Sequence, residues 1–434
     1  MMSSRLRRLA TGGGLNLVLR AATLAFRFGL SFYVVSYLGL QAAGIYGLLL
    51  GAVGVAPALI GWGLNYFVAR EVVGRTPDAA AGLVKTRLTV TFVSLSLLTI
   101  VAAIAASVTG IEWRPLWLLV LALIWLETLA LDLYLPLIGL ELATQANVVV
   151  FVRSALWVPI AVAAGMAWHD LRSLDALCAF WIGGHLLSLA LMARFLRAWP
   201  VWERLADPVD RGWIRDRLSR SWYIYLSDLG IVGLIYLDRY MVSGLLGLTA
   251  TGIYTFYWSL ANALQTLMQA SVVQLALPRL VKAYGQRDMA LWSRLVKSEL
   301  LKAIVVSLGL AALMFVAMEL VFVFDKSGHF PRERELFGCL LLASVLRAGS
   351  DLLNVCITSS GRDRYYAASN VAGVFLSLAC AFVGISLFGL IGSGLGAAAT
   401  AAILIVSRLI HLRGIVRSEA GEGGAMPVPA RSEA

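Results

Sequence analysis

Charge is scarce in this chain of 434 residues: Asp, Glu, Lys and Arg make up 14%, against about 25% in a soluble domain. Cysteine is scarcer still. All four, Cys178, Cys339, Cys356 and Cys380, fall inside apolar runs, which excludes a disulfide framework and a Cys/His metal spacing. No polar segment carries a Gly-rich nucleotide loop, so neither ATP hydrolysis nor any cofactor is expected. What fills the chain is hydrocarbon: 60% hydrophobic residues, a mean hydropathy of +0.81 and repeated apolar runs long enough to cross a bilayer. This excludes a soluble enzyme. The net charge of +11 and pI of about 9.7 could suggest nucleic acid, but Arg and Lys cluster in short segments between apolar runs, where they report topology instead. Arg5, Arg7 and Arg8 precede a run that looks like a signal peptide, yet Arg20 and Arg27 interrupt it and no small-residue cleavage site follows, so it reads as a first span.

At about 20 residues per span, helices are expected at roughly 15–38, 43–66, 88–109, 115–138, 146–168 and 173–196, and again at roughly 221–243, 250–276, 299–324, 336–358, 367–389 and 390–411. The chain reads as a polytopic all-α protein of about 12 transmembrane helices. Residues 1–14 form a basic tail, 15–196 an N-lobe, 197–220 a cytoplasmic interfacial linker, 221–411 a C-lobe and 412–434 a disordered cytoplasmic tail. With the N terminus cytoplasmic, 26 Arg and Lys fall on the cytoplasmic side and five on the other, so both termini are expected in the cytoplasm.

Residues 38–46, LGLQAAGIY, recur as LGLTATGIY at 246–254, seven of nine identical at an offset of 208. Six spans fit in that offset. An even number gives both copies the same orientation, so the halves form two pseudo-symmetric six-helix lobes about an axis along the membrane normal. GLELATQANVV at 139–149 and GRDRYYAASNVA at 361–372 echo one another more weakly. The GIY glycines are read as permitting a tight turn between two helices.

An Arg-rich tail, YLG closing the first span, GIY opening the second, and a seventh span with LDRY (237–240) followed by LLGLTATGIY resemble the polysaccharide-transport family of oligosaccharide-lipid flippases, the Wzx type. That family belongs to the multidrug/oligosaccharidyl-lipid/polysaccharide exporter superfamily. The resemblance covers nearly the whole chain and implies two six-helix lobes around a central cavity. It also implies translocation of undecaprenyl-pyrophosphate-linked repeat units across a bacterial inner membrane for O-antigen, capsule or exopolysaccharide. Membrane lipids, H⁺ or Na⁺, a polysaccharide polymerase and a chain-length regulator are the partners it suggests.

Ionisable groups within spans carry the independent signal, since each costs about 2.5 to 3.5 kcal/mol on insertion scales. Arg27 lies twelve residues into span 1, about 18 Å along a helix crossing a core about 30 Å thick. It cannot easily snorkel, whereas Arg20 can. Glu127 and Arg347 are also near mid-depth, Arg153 is intermediate and Arg239 lies near the periplasmic end of span 7. Asn16, Arg20, Thr23 and Arg27 share one helical face, as do Ser344, Arg347, Asp351, Asn354 and Thr358 in span 10. Asp228 shares a face of span 7 with Arg239, and span 8 adds Asn262, Gln265 and Gln269. At the 208 offset Arg20 corresponds to Asp228, which suggests an opposed pair.

Guanidinium suits phosphate oxygens, so Arg20, Arg27, Arg153, Arg239 and Arg347 are the candidate substrate-binding residues. Asp228, Asp351, Glu127 and Asp132 are candidates for coupling or gating, and Asn16, Asn262, Gln265, Gln269 and Asn354 for the polar lining. The competing reading is an interhelical ion-pair network that fixes packing. Glu319 and His185 read as interfacial or satisfied core residues, and Trp113, Trp117, Trp168 and Trp222 as an interfacial belt. A polytopic polymerase would need a sizeable external catalytic loop that is missing here. A drug or cation antiporter, for which an acidic cavity is expected, and a peptidoglycan-precursor flippase are the nearer alternatives.

Overall fold

The computed structural model describes residues 4–110, 114–139, 142–197, 199–200, 203–325, 328 and 330–422. The described residues are helical apart from short connections. Ten stretches are long and apolar enough to cross a membrane, and two of these bend, at Gly247 (φ 83°) and Gly389 (φ 58°), so that the described residues supply twelve spans. Span 1 is α1 (Ser4–Tyr33) with a π-helical end, Val34–Leu38. Span 2 is α2 (Leu40–Gly61), followed by the short α3 (Leu64–Glu71). Spans 3 and 4 are α4 (Pro77–Thr109) and α5 (Pro115–Gly139). Span 5 joins α6 (Ala143–Phe151) to α7 (Trp157–Ala167) through a π-helical turn, Val152–Leu156, and span 6 is α8 (Leu174–Phe195).

In the second half, α9 (Arg211–Met268) carries spans 7 and 8 and continues through a π-turn, Gln269–Val273, into α10 (Gln274–Gly285). Then come α11 (Met289–Phe324), α12 (Arg334–Ser359) and α13 (Asp363–Glu422), the last holding spans 11 and 12.

Three helices start about ten residues before the apolar runs that announce them. The Thr76 side chain accepts from the Ala79 amide ahead of α4, Asp210 from Trp213 ahead of α9, and Asp288 from Leu291 ahead of α11. Each cap satisfies an amide that the first turn leaves unpaired. The outer walls of the longest helices are apolar and open: Phe92, Leu97 and Ile104 on α4, Leu301, Val316 and Val323 on α11. Such surface is stable only against lipid. This is a multi-pass membrane protein.

The repeat acts differently from the turn expected of its GIY glycines. The turns use the preceding glycines, Gly39 (φ 87°) and Gly247 (φ 83°), in a conformation that L side chains rarely adopt. Gly44 and Gly252, the glycines of GIY, lie where span 2 meets span 8. A Cβ on Gly44 would strike the Leu248 carbonyl and one on Gly252 the Leu40 carbonyl. Gly47 meets Thr255, its own counterpart at the 208 offset, in the same way. Reciprocal contact between equivalent positions is what a two-fold relation between copies requires.

Contacts gather the chain into two units, Met1–Ser259 and Leu260–Ala434. The division falls inside span 8, whereas 197–220 was expected to separate the lobes. The close approach of the two repeat copies holds span 7 and the start of span 8 to span 2. Residues of 197–220 dock on the first unit as well. Arg204 pairs with Asp78, Lys85 donates to the Asp207 carbonyl, Trp213 Nε1 donates to Glu71 at 2.9 Å and Arg217 pairs with Glu71 at 2.8 Å. The first unit is centred on Val68, Val84, Leu137, Val149 and Met192, and the second on Leu264, Leu280, Trp292, Leu352 and Ile357.

Candidate functional site

In the first unit, spans 4, 5 and 6 converge on Glu127. Arg153 Nη1 lies 3.1 Å from Glu127 Oε1, and His185 Nε2 lies 2.7 Å from Oε2. The π-turn that holds Arg153 adds a residue to the helical turn and marks a site often used for function. His185 Nδ1 is 3.0 Å from the Trp181 carbonyl. The carbonyl lies against one ring nitrogen and the Glu127 carboxylate against the other, so the imidazole is held at both. His185 is a satisfied core residue, as the sequence suggests, and it is also bound to a mid-span acid.

Arg27 of span 1 lies within electrostatic reach of Glu127 and of Tyr46 on span 2. Its side chain is exposed, and among the described residues no ion pair or hydrogen bond holds its guanidinium. The carboxylate nearest in charge terms is already committed to Arg153 and His185. Arg20, one face-repeat away, is half-buried and engaged within the bundle. The side chain of Asn16 lies outside the described residues. Asp228 is half-buried on span 7 and makes no ion pair among the described residues, so the opposed pairing of Arg20 with Asp228 is not formed.

In the second unit, the span 10 stripe divides into two networks. Arg347 Nε lies 4.0 Å from Asp351 Oδ2, an oxygen that also accepts from Gln265 of span 8. Asn354 Nδ2 donates to Asn370 Oδ1 at 3.1 Å, and that oxygen accepts from Arg408 Nη2 at 3.0 Å. Arg408 Nη1 also reaches the Ser350 carbonyl and hydroxyl, at 2.8 and 2.7 Å. Asn262 is half-buried and Gln269 exposed, with the Gln269 backbone opening the π-turn of span 8.

Two candidates are packed away from any open surface. Arg239 is completely buried, donates to the Gly47 carbonyl at 3.0 Å and lies 4.2 Å from the centre of the Trp258 ring. It braces span 7 against span 2 and has no path to snorkel to the periplasmic interface. Asp132 binds Arg87 Nη2 at 3.0 Å, with both side chains 1% exposed, and accepts from Thr91. Arg87 Nε in turn donates to Asn65 Oδ1 at 2.9 Å. Arg87 and Arg408, two of the most deeply buried arginines, are among the 26 Arg and Lys counted above as cytoplasmic. The cap at Thr76, followed by Pro77 at the first helical position, is the local signal that places Arg87 within a helix.

No protein-family model and no curated relative matches the sequence. Solved structures do. The inward-facing conformation of a multidrug resistance MATE family transporter of the MOP superfamily superposes with a TM-score of 0.72, at 14% identity over 94% of this chain and 98% of that one. The fold is that of the MATE transporters. The outward-facing conformation of a MATE family transporter gives a TM-score of 0.59 at 13% identity, covering 94% and 95% of the two chains. A MATE crystal structure in complex with MaL6 gives 0.58 at 14%, covering 94% and 96%. Within this MATE fold, the polar positions described above fall on spans 1, 3, 4, 5, 6 and 7 in the first unit and on spans 8, 10, 11 and 12 in the second.

Proposed function

We propose that the protein is a flippase of the Wzx type, moving undecaprenyl-pyrophosphate-linked oligosaccharide units across a bacterial inner membrane by alternating access, with both termini cytoplasmic and no catalysis of its own. The observation that carries this reading is Arg27, a mid-span guanidinium that is exposed and has no counterion of its own. An uncompensated cation at that depth is costly, and an arriving pyrophosphate supplies the acceptors that guanidinium binds in a bidentate fork. Arg20 lies about two turns closer to the cytoplasmic end and Arg153 in the same unit; Arg347 offers a second mid-span cation in the other unit. Glu127 beside Arg153, and Asp351 beside Arg347, are the coupling candidates, because each joins a titratable group to a cationic neighbour. Arg239 and Asp132 serve packing.

In cells that make a lipid-linked glycan with this protein as transporter, its depletion leaves lipid-linked repeat units in the cytoplasmic leaflet and lowers surface glycan. Normal surface glycan after depletion would exclude the reading.

A cation or drug antiporter is the second reading, favoured by the unpaired Asp228 on span 7. It predicts that the protein exchanges a lipophilic cation such as tetraphenylphosphonium for protons in proteoliposomes, and that Asp228→Asn abolishes the exchange.

A further inference from the structure

A groove of about 590 Å³ lies on the first unit between the end of span 2, the middle of α4 and the first half of span 7. Its walls are apolar and aromatic, with Trp62, Val93, Leu218, Trp222 and Tyr225 among them. The aromatic wall is held rigidly. Trp62 has a left-handed backbone (φ 52°), its Nε1 donates to Ser94 Oγ at 3.0 Å and its ring stacks on Tyr225 at 5.4 Å. Tyr225 in turn donates to the Leu59 carbonyl at 3.0 Å. A non-glycine residue held in that conformation is overdetermined by its surroundings, a feature that collects at ligand sites.

The groove borders exposed apolar residues of α4: Val93 is 62% exposed and Phe92 57%. Its occupant is therefore a lipid and not a soluble partner. Toward the polar end of the same helix stand Arg211 and Arg215. Each lies seven residues before a lining residue, Leu218 and Trp222, which at 100° per residue places all four on one face. The guanidinium-bearing turns thus sit about 10 Å beyond the groove along the helix, at head-group depth. Neither arginine has an ion pair among the described residues. The carboxylates around them are committed elsewhere, Asp210 to the Trp213 amide and Asp216 to Arg217 and Arg220.

We propose that this groove is a loading site for the transported lipid on the face that carries the basic loops. The chain of a polyprenyl phosphate lies between Trp62, Val93 and Trp222, and its phosphate meets Arg211 and Arg215. The assignment rests on the flippase reading for the identity of the lipid, and it adds a place of entry separate from Arg27.

The test is native mass spectrometry of the purified full-length protein in detergent, titrated with undecaprenyl phosphate or with phosphatidylglycerol. Wild type should bind undecaprenyl phosphate at least tenfold more tightly than phosphatidylglycerol. Val93→Trp, which fills the groove, and Arg211→Gln with Arg215→Gln, which touch only an exposed helix face, should each weaken undecaprenyl phosphate binding at least tenfold. Arg413→Gln, an exposed arginine on α13 with no part in either site, should leave it unchanged. Wild-type binding by both groove variants would overturn the site, and equal binding of phosphatidylglycerol would overturn its assignment to the transported lipid. No translocation is read in this assay, so the groove can stand where the transport reading falls, and the reverse.

Discussion

A guanidinium within the hydrocarbon layer needs an anion, a set of acceptors or access to water, and Arg87 and Arg27 meet that need in different ways. Arg87 is closed in with Asp132, Thr91 and Asn65. Removing one partner leaves a buried charge uncompensated, so Asp132→Ala should cost about 3–5 kcal/mol of stability, while Arg87→Leu with Asp132→Leu should recover most of it. Unfolding midpoints in detergent would check both, and an unchanged midpoint in Asp132→Ala would show that the pair does not brace spans 3 and 4. Arg27 has no such partner and is itself costly at its depth, so Arg27→Ala should not lower stability. A large loss of stability there would make Arg27 a packing residue and remove the basis for the head-group site. Residue type alone ranks Arg27 and Arg239 together as span arginines. What separates them is the bracing of Arg239 by the Gly47 carbonyl and Trp258, contacts that join residues far apart in sequence.

At the scale of helices, the apolar runs place the spans and miss their polar extensions. Windows tuned to hydrocarbon begin where the lipid does, whereas α4, α9 and α11 begin at caps about ten residues earlier, in water. Thr76-Pro77-Asp78 reads as a helix start from sequence, and following it would have put Arg87 on span 3. The π-turns at Val34–Leu38, Val152–Leu156 and Gln269–Val273 have no comparable signal, because they come from tertiary packing. The repeat was legible as a repeat, but its chemistry was not: the turn belongs to Gly39 and Gly247 and the helix contact to Gly44 and Gly252. Gly252→Ala forces a methyl group against the Leu40 carbonyl and should cost about 1–3 kcal/mol, in the range of core overpacking. Gly244→Ala, where a Cβ would meet nothing within 4 Å, is the control. Equal stability of the two variants would show that spans 2 and 8 can separate without penalty.

For the molecule as a whole, the 208-residue repeat and the charge bias anticipate twelve spans with both termini on one side, and the helices supply the twelve. Counting Arg87 and Arg408 as buried takes two residues from the basic side and leaves the bias intact. Reporter fusions after Gly110 and after Gly212 should therefore report opposite sides of the membrane, and agreement between them would break the topology. The central claim is that an anionic lipid head group crosses the membrane on a cationic path that includes Arg27. It is tested most directly by reconstituting the purified protein in liposomes and following an undecaprenyl-pyrophosphate-linked oligosaccharide from one leaflet to the other. The account predicts protein-dependent translocation that falls at least tenfold in Arg27→Ala and is only partly restored in Arg27→Lys, which keeps the charge and loses the fork. Wild-type rates in Arg27→Ala combined with Arg347→Ala would contradict it.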